Sequence, residues 1–216
     1  MWGYVKWTLI ALIVATFGAF LHYTLPQTDI VRITNTFNRQ TTIGSNWMFY
    51  ASSDSGSAET EVRDIRFIEA VRPNDKVIVY RNEDTGWVWP PYFKYDSSNL
   101  QAEASNLKSD KATPQWVKVT HYGWRIPLIS IYPNAVSATA IEGPDVRIIP
   151  WFNIVFLSFL ALALLMVRRM WLQFRERTID PLIDEVEDKF DEVSLEGQQA
   201  ARKARGLVAR LFGRKG

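Results

Sequence analysis

The strongest pattern along the chain is a pair of long apolar segments that flank a region of alternating polar and apolar residues. Residues 7–25 and 150–167 contain no Asp, Glu, Lys or Arg. An α-helix rises about 1.5 Å per residue, so each segment approaches the thickness of a bilayer's hydrocarbon layer, about 30 Å. We therefore predict one transmembrane helix over residues 7–25 and a second over residues 150–167.

The charges beside these segments predict how the chain is oriented. Lys6 precedes the first segment, and Arg168 and Arg169 directly follow the second. Lys and Arg next to apolar helices favour the cytoplasmic side of a membrane. The predicted regions are a cytoplasmic N-terminus at 1–6, an extracytoplasmic domain at 26–149 and a cytoplasmic tail at 168–216.

A cleaved secretory signal is the alternative for the first segment. Signal peptides end in small residues at the cleavage site. The corresponding residues here are Phe20, Leu21, His22 and Tyr23, none of which is small. This favours an uncleaved helix, and both alternatives place the following domain outside the cytoplasm.

Short apolar or alternating segments, separated by turn residues, fill the region between the two helices. They predict strands at 30–34, 47–51, 63–71, 76–81, 87–95, 116–124, 128–132 and 135–141. One helix is predicted among them, with Ser98 as its cap and with Leu100, Ala104 and Leu107 on one face. Short strands with a single helix favour a mainly-β domain, either a small antiparallel barrel or a sandwich.

An aromatic stretch within this domain is the densest candidate for a binding surface. The residues predicted to bind a partner are Trp87, Trp89, Pro90, Pro91 and Tyr92. Flat rings provide a large contact area at a low cost in side-chain entropy, and adjacent prolines do not occur in a central strand. The alternative is that these rings form the core of the domain. Burial in the core is also what we predict for Trp124.

The tail combines an acidic segment with a basic one. Residues 180–196 contain eight acidic residues against Lys189, whereas residues 198–216 contain six bases and no acid. Apolar residues at helical spacing predict an amphipathic helix in each, with Gly197 as the break between them. The basic helix is predicted to lie on the inner leaflet through Arg202, Lys203, Arg205, Arg210, Arg214 and Lys215. The alternative is a hairpin in which the two helices pair.

The composition of the chain excludes some kinds of site and argues against some classes of function. The chain has no cysteine, which excludes disulfides and thiolate metal sites. Residues 27–149 contain 13 basic and 14 acidic residues, a balance that gives no footprint for nucleic acid. No spacing predicts a metal site, and no catalytic signature surrounds His121 or Ser130. We expect that the protein binds no cofactor and is not an enzyme.

Several long motifs are similar to those of a known family. They are RNEDTGWVWPPYFKYDSSNLQAEA at 81–104, HYGWR at 121–125, YPNAVS at 132–137 and GPDVRIIPWFNI at 143–154. From the first helix to about Asp180, the chain resembles alphaproteobacterial inner-membrane proteins that contain a domain of unknown function. The resemblance implies two membrane helices and a periplasmic domain. It implies no activity, substrate or catalytic residue.

Two functions of different classes are compatible with these features. The first hypothesis is a membrane-anchored accessory protein that presents its β-domain to a larger envelope complex. Its contacts would be the lipid bilayer and either a membrane-protein partner or a second copy of the chain. The alternative is a ligand-binding or sensor module that signals to the tail. A deep apolar pocket near Trp87 and Trp124 would favour this alternative, and a flat exposed aromatic patch would favour the first hypothesis. A nucleophile hydrogen-bonded to His121 would instead indicate a hydrolase.

Overall fold

The computed structural model of the chain describes residues 2–43, 47–50, 61–85 and 90–183, and the positions 185, 186, 189, 195, 197, 202 and 203. The chain divides into two compact units, Met1–Ile154 and Val155–Gly216. The first unit contains the first long helix and all of the β-structure.

In the part of the chain that the structure describes, two helices are long and apolar enough to cross a membrane. The first is α1 (Trp2–Thr24), and the second begins at Trp151. Pro26 follows α1 and cannot continue it, because proline lacks the backbone N–H that a helix needs. Each predicted transmembrane segment falls on one of these helices, and both helices extend beyond the predicted bounds.

Five strands form a closed barrel in the order β1-β2-β3-β5-β4. The strands are β1 (Gln27–Ile43), β2 (Glu61–Val71), β3 (Val77–Asn82), β4 (Trp116–Tyr122) and β5 (Asn134–Ile141). The long strand β1 pairs with β4 through its first five residues and with β2 through the rest. Antiparallel pairing joins all neighbours except β3 and β5, which are parallel.

One helix, α2 (Ser97–Asn106), lies between β3 and β4 in the sequence. A five-stranded barrel with this strand order and this helix has the topology of the OB-fold. The prediction of a mainly-β domain between two apolar helices is therefore confirmed, and of its two alternatives the barrel is right.

Period-two alternation explains why β4 faces the core on one side. Val117, Val119 and His121 are buried, whereas the residues between them are half-buried. The core also contains Leu100 and Ala104 of α2, so this helix packs directly against the barrel. Asp96 caps α2 by accepting a hydrogen bond from the backbone N–H of Asn99 at 3.3 Å. The predicted cap, Ser98, is therefore wrong.

Three of the predicted strands, at 47–51, 87–95 and 128–132, are not strands in the residues of theirs that the structure describes. Residues 47–49 form a 3-10 turn, as do Pro127–Ile129, after which Ile131 forms an isolated bridge with Ile126. Residues 90–95 have no strand structure, in agreement with the helix- and ladder-breaking effect of the two prolines there. The misassigned segments share a high content of apolar residues, which favours burial but does not by itself produce a strand.

The second apolar helix begins in the first unit and continues into the second. Helix α3 (Trp151–Phe174) is followed by a π-helical turn at Arg175–Ile179. Gly197 is helical, but the residues on either side of it lie outside the described residues, so the predicted break at this glycine stays a prediction. Arg202 and Lys203 are also helical, whereas Arg205, Arg210, Arg214 and Lys215 lie outside the described residues.

Candidate functional site

A cleft of about 370 Å³ opens where α1 meets the barrel. Its walls come from the last turn of α1, the start of β1, the β2–β3 connection, β3, and the end of β4 with the connection that follows. The lining residues are His22, Gln27, Asp29, Arg72, Ile78, His121, Gly123, Trp124, Arg125, Ile126 and Pro133. Segments distant in the sequence thus meet at one site.

Asp29 is the centre of the hydrogen-bond network in this cleft. One oxygen of its carboxylate accepts a hydrogen bond from Arg72 at 2.8 Å and another from Tyr80 at 2.7 Å. The Nε2 atom of His121 lies 3.3 Å from the same oxygen. Three side chains from three different strands or connections therefore converge on one carboxylate.

These contacts determine the charge of Asp29. Burial on its own would raise the pKa of Asp29, but the hydrogen bonds from His121, Arg72 and Tyr80 outweigh it and hold that pKa well below its usual range. Burial raises the pKa of Tyr80, and the neighbouring Asp29 carboxylate raises it further. Asp29 is therefore the anion of the network, and Tyr80 remains a neutral donor.

His121 is paired with an acid but not with a nucleophile. Its Nδ1 atom is buried and has no hydrogen-bond partner among the described residues, and its ring lies 5.3 Å from the Tyr80 ring. The backbone oxygen of Ser130 accepts a hydrogen bond from Tyr50, and no contact joins Ser130 to His121 in the described residues.

The last turn of α1 is part of the cleft wall and is fastened to the barrel. The indole N–H of Trp124 donates to Nδ1 of His22 at 2.8 Å, and the backbone N–H of Gly123 donates to the carbonyl of Tyr23 at 3.1 Å. Gly123 has a φ of 79°, and a Cβ atom there would lie 3.3 Å from the Tyr23 ring. A glycine is needed at this position for both reasons.

The prediction that Trp124 is a core residue is wrong. Its side chain is half-buried, lies edge-on against Tyr23 with ring centroids 5.3 Å apart, and lines the cleft. Indole rings have an apolar body and a polar N–H, so a half-exposed position with a bonded N–H suits them. Trp124 therefore joins α1 to the barrel.

Two arginines give the cleft a positive balance. Arg72 and Arg125 both line it, and Asp29 is its single acidic residue. Arg125 donates to the carbonyl of Ile131 at 2.8 Å and lies 4.2 Å above the Tyr132 ring, which holds its guanidinium in place. A guanidinium has five N–H donors and suits carboxylate or phosphate oxygens. The cleft can therefore bind an anionic group.

A second buried network lies at the end of β3. Lys94 donates to the side-chain oxygen of Asn82 at 2.7 Å, and Asp84 lies farther away, at 3.9 Å. Asn82 in turn donates to the carbonyl of Ser97, the first residue of α2. Burial lowers the pKa of Lys94 to about 8, against the opposing effect of the nearby carboxylates. The Lys94 side chain is fully enclosed, so this network fixes the β3–α2 connection.

The predicted aromatic surface is only partly described. Pro90 and Tyr92 are buried, and Pro91 is half-buried. The Tyr92 hydroxyl accepts a hydrogen bond from the buried Arg81 at 2.8 Å, and its ring stacks on Tyr122 at 4.6 Å. Trp87 and Trp89 lie outside the described residues. Partner binding by the segment as a whole stays a prediction.

Sequence reasoning missed Asp29, Arg72 and Tyr80, because nothing in the sequence links residues on different strands. A signal was nevertheless present. Asp29 is two residues before the buried Val31, and His121 is two residues after the buried Val119. Residues two apart on a strand point to the same face, so both polar residues could have been placed toward the interior.

No metal-binding constellation stands beside this cleft in the part of the chain that the structure describes. There, no group of three or more His, Asp or Glu residues could hold a metal ion.

Comparison with known proteins identifies a family that matches most of the chain. The family of proteins of unknown function DUF1523 matches residues 3–175. An uncharacterised protein of Haemophilus influenzae is 36% identical over 140 residues, which cover 63% of this chain and 76% of that protein. No solved structure matches the chain. The resemblance to a domain of unknown function is confirmed, whereas an alphaproteobacterial origin stays a prediction.

Proposed function

We propose, from the premise that the chain belongs to the DUF1523 family of proteins of unknown function, that it is a membrane-anchored protein whose barrel binds a small anionic ligand. The observation that carries the proposal is the cleft beside α1, in which Arg72 and Arg125 flank a single acid. Because three donors already bind Asp29, its charge is largely compensated within the protein. A ligand anion would therefore meet a site of net positive charge.

The anchor consists of the two apolar helices. In this proposal, α1 and α3 cross a bacterial inner membrane, the barrel lies in the periplasm, and both termini are cytoplasmic. Lys6 and the pair Arg168 and Arg169 support this orientation, because positive residues favour the cytoplasmic side. The basic end of the tail would then contact anionic lipid on the inner leaflet.

Ligand binding would affect α1 directly. His22 and Gln27, at the end of α1 and just beyond it, line the same cleft as Arg72 and Arg125. A ligand in the cleft would therefore change the contacts that hold α1 to the barrel, and a sensor could use this change to signal across the membrane. Binding rather than catalysis is proposed, since His121 has no nucleophile among its described partners.

The ligand site can be tested with the full-length protein in detergent. Inorganic phosphate, glycerol 3-phosphate and succinate are each added at the same ionic strength as a chloride reference. An anion that binds the folded state raises the melting temperature, and Arg125→Gln should abolish the rise. Arg39→Gln, which alters an exposed arginine of β1 outside the cleft, is the matched control. Equal shifts in both variants, or no shift with any anion, would contradict the proposal.

An accessory role in an envelope complex is a second candidate. Phe93 and Tyr95 are 57% and 53% exposed, and their rings stack with centroids 6.5 Å apart. Exposed aromatic pairs are typical of surfaces that another protein covers. A photo-crosslinking amino acid at position 93 in native membranes would form a specific protein adduct under this hypothesis, with position 103 on α2 as the control. Equal crosslinking at both positions would contradict it.

A further inference from the structure

We propose that the turn Pro127–Ile129, between β4 and β5, docks onto the lipid surface of the bilayer next to the end of α1. The proposal rests on the membrane anchor proposed above. It concerns a surface outside the cleft, and it assigns the barrel a fixed position against the membrane.

The first observation is that three connections of the barrel meet at the last turn of α1. The ring of Tyr23 lies 5.9 Å from the rings of both Phe49 and Tyr92, and 5.3 Å from that of Trp124. These residues belong to the β1–β2, β3–α2 and β4–β5 connections, respectively. The end of the barrel that carries these connections is therefore the end from which α1 emerges.

The turn itself belongs to this end. Gly123, which is bonded to Tyr23, lies four residues before Pro127 along the chain. Tyr50, the neighbour of Phe49, donates its hydroxyl to the carbonyl of Ser130 at 3.2 Å, one residue after the turn. Both flanks of the turn are thus tied to segments that contact the end of α1.

The turn presents apolar side chains outward. Leu128 is 93% exposed, more than any other apolar residue that the structure describes, and Ile129 is 45% exposed. Leu128 and Ile129 together form an exposed apolar tip, and removing apolar surface from water is favourable, so we expect a surface to cover this tip. The lipid surface is the one that α1 brings to this end of the barrel.

The turn is held rigidly in its exposed position. Ile126 and Ile131 exchange two backbone hydrogen bonds of 3.1 and 3.0 Å across its base. Ser130 adopts a φ of 54° and donates its backbone N–H to Pro127 at 3.2 Å. Leu128 therefore cannot fold back onto the barrel without breaking this frame.

The composition of the connection fits the surface of a membrane. Residues 122–133 contain no acid and one base, Arg125, with aromatic residues at both ends. No charge in the connection would oppose its approach to lipid.

The absence of cysteine from the chain makes a direct test possible. A nitroxide is attached to Leu128→Cys in the full-length protein, reconstituted in vesicles of phosphatidylethanolamine and phosphatidylglycerol. Val77→Cys is the matched control, because Val77 is 72% exposed and follows the turn that contains Asp75. Asp75 pairs with Lys111, in the connection that precedes β4, at the opposite end of β4 from Gly123. Ile13→Cys reports whether α1 is in the bilayer.

Lipid docking predicts that the nitroxide at 128 collides more often with molecular oxygen, which concentrates in lipid, and several-fold less often with a nickel chelate than the nitroxide at 77. Equal exposure to nickel at 128 and 77 would overturn the proposal. Protection from both reagents would also overturn it and indicate a protein contact, with spin–spin broadening if the contact is a second copy. If the nitroxide at 13 collides freely with nickel, the anchor itself is wrong.

Discussion

The two buried networks of the barrel, around Asp29 and around Lys94, differ in how well they offset the cost of burying a charge. Burial disfavours charge on both Asp29 and Lys94. Asp29 keeps its charge because three donors surround it, whereas Lys94 has one amide oxygen at 2.7 Å and a carboxylate only at 3.9 Å. Its pKa is accordingly lowered to about 8. A buried charge persists when its partners are near and numerous.

The two networks also differ in their access to solvent. The Asp29 network lines a cleft, and the Asp29 side chain is 20% exposed. The Lys94 side chain is 0% exposed and joins the end of β3 to α2. The first network can therefore meet a ligand, whereas the second can only stabilise the connection that it holds.

The largest effect is expected from Asp29→Ala, which would break the first network at its centre. The change leaves the partly buried donors of Arg72, Tyr80 and His121 without their shared acceptor, at a cost of about 3 kcal/mol in the free energy of unfolding. Denaturant unfolding of the full-length protein in detergent measures this cost. Asp64→Ala, at an exposed position of β2, serves as the control. A loss no larger than in the control would show that the network does not stabilise the barrel.

The charge of Asp29 also predicts a dependence on pH. Because the pKa of Asp29 is lower in the folded state than in the unfolded one, its stabilisation is complete above about pH 4 and is lost as the pH falls toward the folded pKa. The difference in stability between the parent and Asp29→Asn should therefore shrink below pH 4. A constant difference down to pH 2 would contradict the assignment.

Lys94 also predicts a stability that rises with pH, but in a window at high pH. Between its folded pKa of about 8 and an unfolded value near 10.5, the unfolded chain binds a proton that the folded state has released. Raising the pH through this window should therefore stabilise the parent relative to Lys94→Met by up to about 3 kcal/mol. The control, Lys111→Met, removes an exposed amine and should show no such trend.

Gly123→Ala tests the part of the cleft that α1 contributes. A Cβ atom would strain the positive φ and press against the Tyr23 ring, at a cost of about 1–2 kcal/mol in the free energy of unfolding. Gly143→Ala is the matched control, because a Cβ atom at 143 would meet nothing within 4 Å. Thermal unfolding of both variants measures the difference, and equal melting temperatures would mean that α1 is not tightly docked.

The smallest effect is expected from Trp124→Phe. The change removes the hydrogen bond to His22 and keeps an aromatic ring against Tyr23, so a loss of about 1 kcal/mol or less is expected. Thermal unfolding in the same detergent measures it. A loss of about 3 kcal/mol or more, as for a large side chain removed from a core, would restore the original prediction that Trp124 belongs to the core.

The sequence predicted the elements better than their contacts. Alternation identified β4, and helical spacing identified the buried face of α2 through Leu100 and Ala104. The segments 47–51 and 128–132 are apolar but do not alternate, and the prediction that they form strands was wrong. Their described residues belong to loops near α1. Strand propensity alone cannot distinguish a strand from a buried or membrane-facing connection.

The candidate site could be predicted only in part, for a physical reason. Asp29, Arg72 and His121 come together because β1 pairs with both β2 and β4, and such pairing is set by the whole barrel. A single sequence shows that His121 and Asp29 are polar residues in inward positions. It does not show that they face each other, because that depends on the register of two strands about 90 residues apart.

The point at which the chain enters the barrel domain is bonded to the point at which it leaves. The side-chain amide of Asn153 donates to the carbonyl of Pro26 at 2.9 Å, across 127 positions of sequence. The two ends of the barrel domain therefore lie next to each other. Domains with adjacent ends tolerate insertion into another chain and circular permutation. The barrel could accordingly be transplanted as a cassette between two other segments, with no linker needed to bridge a gap.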